Sequence, residues 1–473
     1  MSPAPYQPPK NGAKIIIVGG GSFGLSTAHA LSLKAKGYDI HVYDREKIPA
    51  SDAASTGKRT ANERYINKIV RMDYGDDLIY QQLACEALPI WRQWNEEVKA
   101  EGKPLVYNET GLLLFSRNGK FPDYERLSMQ NIRAAGYGHA IEELPTPESI
   151  VKRFPQFADA VANGFDIAYL NKYAGWCYST GAVVHLYEKC LRNGVQFHQN
   201  GPHSTLKELI VENGGQVKGI RTVDGQDHLA DLVILATGAW TAKLIDMEGT
   251  LTATGHAVVH FKPDTETCEN YFTKDFPVWS GDISHLGKAH QIPWQRYYGF
   301  PANHEGKVKA ACHAAGYLNM CEDGKVSVPR TKVGNPDDTL PHNSLVEYRE
   351  FLGKFLPKLN ELDISDSRVC WYSDSFDGDF IISPHPKYQN LIVATGDSGH
   401  GMKFIPIIGY KIAQVVEAVD NEYTRAWAWR SAGKGRLDSM RLLTKTDRHE
   451  LGKGVARFAK PEELKANAIK AKL

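Results

Sequence analysis

Cysteine is scarce in this chain and falls in no pattern. The seven cysteines among 473 residues, at positions 85, 177, 190, 268, 312, 321 and 370, are odd in number and include no CxxC pair. Neither a disulfide framework nor a zinc site is therefore indicated, and a reducing compartment fits best. No apolar run approaches the ~20 residues of a membrane span, and the opening MSPAPYQPPKNG has no signal-peptide core. A soluble, unsecreted protein is expected, with no membrane partner. Neither sign of charge dominates, with 56 Lys+Arg against 55 Asp+Glu and no basic block. Nucleic-acid binding, which needs sustained phosphate neutralisation, is excluded on that ground.

What is present is length and aromatic content. At 473 residues the chain exceeds the ~250–300 at which a single core stops growing, so two domains are expected. Residues 1–12 read as a Pro-rich disordered lead. KIIIVGG then reads as a buried strand, GGSFGLSTAHALSLKAKG as a glycine turn opening a helix, and YDIHVYD as a second strand. Two later runs, ADLVILATGAW at 230–240 and YQNLIVATGDSGHG at 388–401, repeat a β-branched strand ending in Ala-Thr-Gly. The nucleotide-binding domain is thus discontinuous, over 13–103, 171–250 and 365–432. The intervening 104–170 and 251–364 form a substrate domain, and 433–473 a tail that is polar and mobile from about Lys460. HAVVHF, RYYGFP and GKVKAACHAAG alternate in the manner of antiparallel strands. KFIPIIGYKIAQVVEAV at 403–419 has helical spacing and should pack behind the last ATG turn. The fold class is α/β: a discontinuous Rossmann-like domain with a mixed-sheet α+β substrate domain.

Gly19, Gly21 and Gly24 stand at G-x-G-x-x-G directly after a strand and at a helix start, with Ser22 and Phe23 between them. The first glycine permits the turn, the second the approach of a pyrophosphate, and the third close helix–strand packing. Asp44 ends the second strand twenty residues after Gly24, followed by Arg45, where an acid can accept from a ribose hydroxyl. A dinucleotide is expected. Against NAD stand the N-terminal position of the unit and the two later ATG turns, a pattern that resembles the FAD-binding two-domain oxidoreductases; the resemblance implies FAD and a second approach of the Ala236-Thr237-Gly238 turn to the cofactor.

Four segments carry a further resemblance. They are RVCWYSDSFDGDFIISPHP with Cys370 and Tyr372, ATGDSGHGMKF with Gly399, Gly401 and Lys403, RYYGFPANHEGKVKAACHAAGY, and NKIVRMDYGDD with Lys68 and Arg71. In the third, a tyrosine before Gly-Phe-Pro (Tyr298) is followed eleven residues later by Lys309 and four beyond that by His313. Over most of residues 13–432 the sequence resembles the FAD-dependent amine oxidases that include monomeric sarcosine oxidase, pipecolate and saccharopine oxidases, and the fungal fructosyl-amino-acid oxidases.

The resemblance implies roles. Cys370 would join the flavin 8α-carbon as a thioether, and Gly399 and Gly401 would let backbone approach the isoalloxazine. Lys309 would present a positive charge to O2. Arg71 and Lys403 would hold a substrate carboxylate, with Tyr298, His313 and Tyr372 on the amine side. NKIVRMDYGDD would lie near the end of the first flavin-domain helix, with Lys68 facing the flavin. His313 matches the sarcosine-type enzymes, since amadoriases usually carry glutamate there, whereas the length and the SDSF segment look more like the fungal branch. The implied activity is oxidation of an N-substituted amino acid to an imine, with O2 reduced to H2O2. Alternatives are a flavin dehydrogenase or tailoring enzyme with another acceptor, and a silent flavin-binding protein. The GKRTANERY stretch at 57–65 is longer than the link expected in that family. The ending Ala471-Lys472-Leu473 resembles the tripeptide read by the peroxisomal import receptor, so peroxisomal localisation is expected.

Overall fold

The computed structural model describes residues 6–49, 67–273, 275–282, 296–432, 448–466 and 468; GKRTANERY at 57–65 and Ala471-Lys472-Leu473 lie outside them. The β-branched run Lys14–Val18 lies inside a six-stranded sheet. Its parallel neighbours are Asp39–Asp44 on one side and Leu232–Leu235 on the other. Gln196–Gln199 extends the first side and Leu391–Thr395 the second, with Ile381–Pro384 as an antiparallel edge. Both faces are covered at the centre, which is why Lys14–Val18, Leu232–Leu235 and Leu391–Thr395 are near-continuous apolar runs rather than alternating. Ile15 and Ile17 pack with the helices Ser22–Ser32 and Ile408–Val416. Ile16 and Val18 pack with Val217 and Ile220 of a small antiparallel sheet formed by Leu206–Glu212, Gln216–Thr222 and Asp227–Leu229. Both ATG turns thus rejoin the first sheet, and 408–416 is helical as its spacing implies.

The second sheet has eight strands in the order Ile364–Ser375, Leu251–Phe261, Val308–His313, Arg296–Gly299, Val278–Asp282, Leu112–Ser116, Ile167–Asn171, Ile141–Leu144. All neighbours are antiparallel except Val278–Asp282 with Leu112–Ser116. Alternation divides its residues between two environments. Ala257, Val259, Phe261, Tyr297, Val308 and Ala310 bury against the helix His342–Phe355, with Tyr297 stacked on Phe351 at 4.3 Å. The intervening residues, among them His256, His260, Tyr298 and Lys309, turn the other way.

Four features differ from expectation. The strand Ile364–Ser375 pairs along Leu251–Phe261, so residues 365–375 hydrogen-bond into the second sheet rather than the first. NKIV does not end a helix; Asn67–Val70 is a strand paired with Gly175–Tyr178, because a short β-branched stretch finds an extended partner a hundred residues on. In the lead, the Tyr6 hydroxyl donates to the Val416 carbonyl at 2.8 Å. The described part of the tail is held down rather than loose. Leu451, Ala456 and Ala459 are buried, Leu451 N–H donates to Leu318 O at 2.7 Å, and Arg349 donates to Leu464 O at 2.9 Å.

Candidate active site

A cleft of about 430 Å³ runs from the glycine turn to the strand Ile364–Ser375. Gly19, Gly21, Ser22 and Phe23 form one end with Asp44, Arg45 and Gly238. Gly19 has φ +109°, and a methyl group there would overlap the Ala236 carbonyl of the first ATG turn. A methyl at Gly24 would overlap the Gly19 carbonyl, so the helix can begin this close to the strand only without a side chain. At Gly21 a methyl would meet nothing within 4 Å, which leaves the helix N-terminus open toward the cleft. Asp44 accepts from Gly20 N at 2.7 Å and from Glu46 N at 2.8 Å. It thereby braces the turn, and each carboxylate oxygen keeps acceptor capacity for a ribose. The Arg45 guanidinium lies over the Trp240 ring at 4.3 Å.

At the other end the second sheet presents one face. Strand register places Cys370 opposite His256, Tyr372 opposite Thr254, Lys309 opposite His260, and Tyr298 and Arg368 in the rows of Ala311 and Val258. Directly opposed residues share a face, so all of these lie together. The His256 and Tyr372 rings stack at 3.8 Å, and His313 lies 5.9 Å from His256 and 5.8 Å from Tyr372. The Tyr298 and Tyr372 hydroxyls are near enough to influence each other's ionisation, and burial raises both.

Lys309 is buried, and its Nζ donates to the Asn67 carbonyl at 2.6 Å. Burial, reinforced by the Lys68 and Arg368 cations, pulls its pKa down to about 7. The Cys370 thiol moves the opposite way from an ordinary buried cysteine. Burial raises it, but Lys68, Arg368 and Lys309 together outweigh burial and hold it below its usual value. A depressed thiol pKa favours the nucleophilic thiolate.

Asn67–Val70 carries the third group. Beyond it, Arg71 donates to the Tyr124 hydroxyl, which in turn donates to the Asp73 carbonyl. Asp73 is fully buried and accepts from Tyr169 at 2.7 Å and Asn171 at 2.9 Å. Lys403 Nζ donates to the Tyr74 hydroxyl at 3.0 Å and to the His400 carbonyl at 3.1 Å, while the Arg71 guanidinium lies 5.0 Å from the Tyr74 ring centre. The two basic residues therefore converge on Tyr74. Burial, with Arg71 close by, holds the Lys403 pKa well below the usual ammonium range, a penalty that an added carboxylate would relieve. The glycines of this loop are also required by neighbouring rings. Gly399 and Gly401 abut the Tyr372 ring and the Phe23 ring, where a methyl would clash, so these contacts account for their small size.

Sequence reasoning passed over three residues. Asp397 lines the cleft, accepts from Ser373 N at 3.2 Å, and is raised to about 6 by burial. Tyr124 orients Arg71 from the helix Asp123–Ile132. Arg368 is 7% exposed and lines the cleft. Arg368 and Asp397 both sat inside recognised segments, so their position was available as a signal and their burial was not.

An elongated cleft with an open helix N-terminus at one end and a cluster of cations at the other fits a dinucleotide joined to a planar ring that gains negative charge on reduction. The FAD-dependent oxidoreductase model matches residues 14–415. L-saccharopine oxidase of Schizosaccharomyces pombe is 32% identical over 441 residues, covering 89% of this chain and 94% of that protein. Monomeric sarcosine oxidase of a Bacillus species is 24% identical, covering 85% and 91%. A modified fructosyl peptide oxidase from Aspergillus nidulans superposes with a TM-score of 0.78 at 25% identity, covering 95% of this chain and all of that one. The chain is thus a member of the FAD-dependent oxidoreductase family.

Proposed function

We propose that this protein oxidises the C–N bond of an N-substituted amino acid, passes the electrons to O2, and holds its FAD through a thioether to Cys370. One observation carries the reading: Lys309 is bonded to the strand that also bears Lys68 and leads into Arg71, so the cysteine-bearing sheet face and the basic pair meet. Bound FAD supplies the two-electron acceptor. Arg71 and Lys403 give a carboxylate two charge-assisted donors in a dry setting. Tyr298, Tyr372 and His313 line the amine side. An amine bound in its neutral form requires no strong general base there. Lys309 places a cation where negative charge develops as O2 is reduced. The strand Asn67–Val70 fixes that cation's position through the Asn67 carbonyl.

Saccharopine, sarcosine and pipecolate head the candidate substrates, because His313 stands where fructosyl-amino-acid oxidases usually carry glutamate. The test is a panel of N-alkyl and N-glycated amino acids scored for flavin bleaching and for peroxide. One H2O2 per imine with an acid substrate is expected. Bleaching without peroxide would move the protein to a dehydrogenase, and no bleaching by any member would make it a silent flavoprotein. Acid-precipitated protein should stay yellow; release of all flavin would remove the tether. We also propose peroxisomal import through Ala471-Lys472-Leu473, tested by relocation on deleting the tripeptide.

A further inference from the structure

Arg368 has no place in the roles above, yet it is built into the cleft. It stands two residues before Cys370 on one strand, so both side chains leave the sheet on the same face. It is 7% exposed, and its Nε and Nη2 atoms have no hydrogen-bond partner among the described residues. A guanidinium keeps its positive charge when buried. Such a group is costly unless something anionic shares its space.

The neighbouring charges narrow what that anion is. Lys68 and Lys309 are the other cations acting on the thiol, and Lys309 already sits at about 7. The buried acid at this end, Asp397, is itself pushed to about 6 and receives Ser373 N–H from the loop side. Elsewhere on the face, Asp366 is engaged by Lys332 at 3.3 Å and faces His260 at 3.6 Å, and Asp374 accepts from Thr254. His256 stands opposite Cys370, Tyr372 lies beyond it, and Tyr298 is three strands from Arg368. The ionisable group that shares both this strand face and the cleft lining with Arg368 is the Cys370 thiol. We propose that Arg368 is a positioning residue for cofactor attachment, the fixed cation that keeps Cys370 as a thiolate aimed into the cleft. This rests on the thioether reading. Attachment forms one C–S bond at the flavin 8α-methyl carbon, with loss of one hydrogen from that methyl and one from the thiol. The two electrons and two protons leave with O2 as H2O2. The thiolate is the attacking form, so the fixed cation sets the fraction of cysteine ready to react.

The experiment compares wild type, Arg368→Met and Arg368→Lys as isolated holoproteins, measuring flavin left in the acid-precipitated chain and its mass. Arg368→Met should bind FAD but release most of it in acid. Its attachment on standing in air should be at least roughly tenfold slower at pH 7, the factor of one pKa unit. It should quicken as pH rises toward 9, because raising the thiol pKa moves thiolate formation upward. Arg368→Lys, which keeps a charge, should tether more than half of its flavin. Full tethering in Arg368→Met, or a loss in Arg368→Lys as deep as in Arg368→Met, overturns the proposal; so does slow attachment that pH does not relieve. A wild type that releases all its flavin removes the thioether and this inference together, whereas a tethered wild type beside a tethered Arg368→Met removes this inference alone.

Discussion

The two ends of the cleft recognise a ligand by opposite means. The glycine end works through what is missing: side chains absent at Gly19, Gly21 and Gly24 let two backbone segments and a helix terminus come close. The sheet end works through what is crowded in: Lys68 and Arg368 stand close enough to Lys309 and Cys370 to lower the pKa of both. Steric recognition of the first kind tolerates no added atom at Gly19 or Gly24. Electrostatic recognition of the second kind is graded, and pH tunes it.

The sharpest break in that contrast should come from Gly24→Ala. The added methyl overlaps the Gly19 carbonyl, so the turn must open, at a cost of about 3 kcal/mol or more. Purified protein should carry almost no flavin by absorbance, and a normally loaded variant would show that the turn yields easily. At the other end, Lys309→Met should slow reoxidation by O2 by ~10²–10³ while changing flavin reduction far less. Stopped-flow measurement of both half-reactions checks this, and equal losses would make Lys309 structural. Its pH profile sharpens the point. A lysine lowered to about 7 is charged below that value and neutral above it, so wild-type reoxidation should fall as pH rises past its pKa. An anion beside the ammonium moves that midpoint above 7, and Lys309→Met should be flat. A more modest change is expected for Lys403→Ala and Arg71→Ala, each weakening an acid substrate by about 2–4 kcal/mol in apparent affinity. Decarboxylated analogues should be poor with wild type and lose little more in the variants; analogues oxidised as well as the acids would sink the carboxylate clamp.

The same contrast decides how much was legible in the sequence. The glycine turn is a local device, and its spacing, its strand and the acid at Asp44 lie within about thirty residues, so the motif specifies its own geometry. The strands HAVVHF, RYYG and VKAACH could likewise be read from alternation. The charged face could not, because it depends on register between segments far apart: Arg368 meets Val258, and Lys309 meets the Asn67 carbonyl 242 residues away. An arginine or lysine on an alternating strand reads as solvated until the opposing sheet is known. NKIV was misread for the same reason, since its extended form is imposed by Gly175–Tyr178. Residues 451–459 looked like a tail because three small or aliphatic residues carry no periodic signal, yet they are buried beside Leu318 and Leu340.

The strand order of the six-stranded sheet has a bearing on how the molecule is made. Lys14–Val18 pairs first with Asp39–Asp44, but its other neighbour is Leu232–Leu235, which itself waits for Leu391–Thr395. A chain growing from its N-terminus therefore carries an open, apolar sheet edge for more than two hundred residues. Contacts of such long range are slow to form, and unpaired edges of this kind invite association with other chains. The nucleotide-binding unit is begun before the second sheet in the sequence and closed after it.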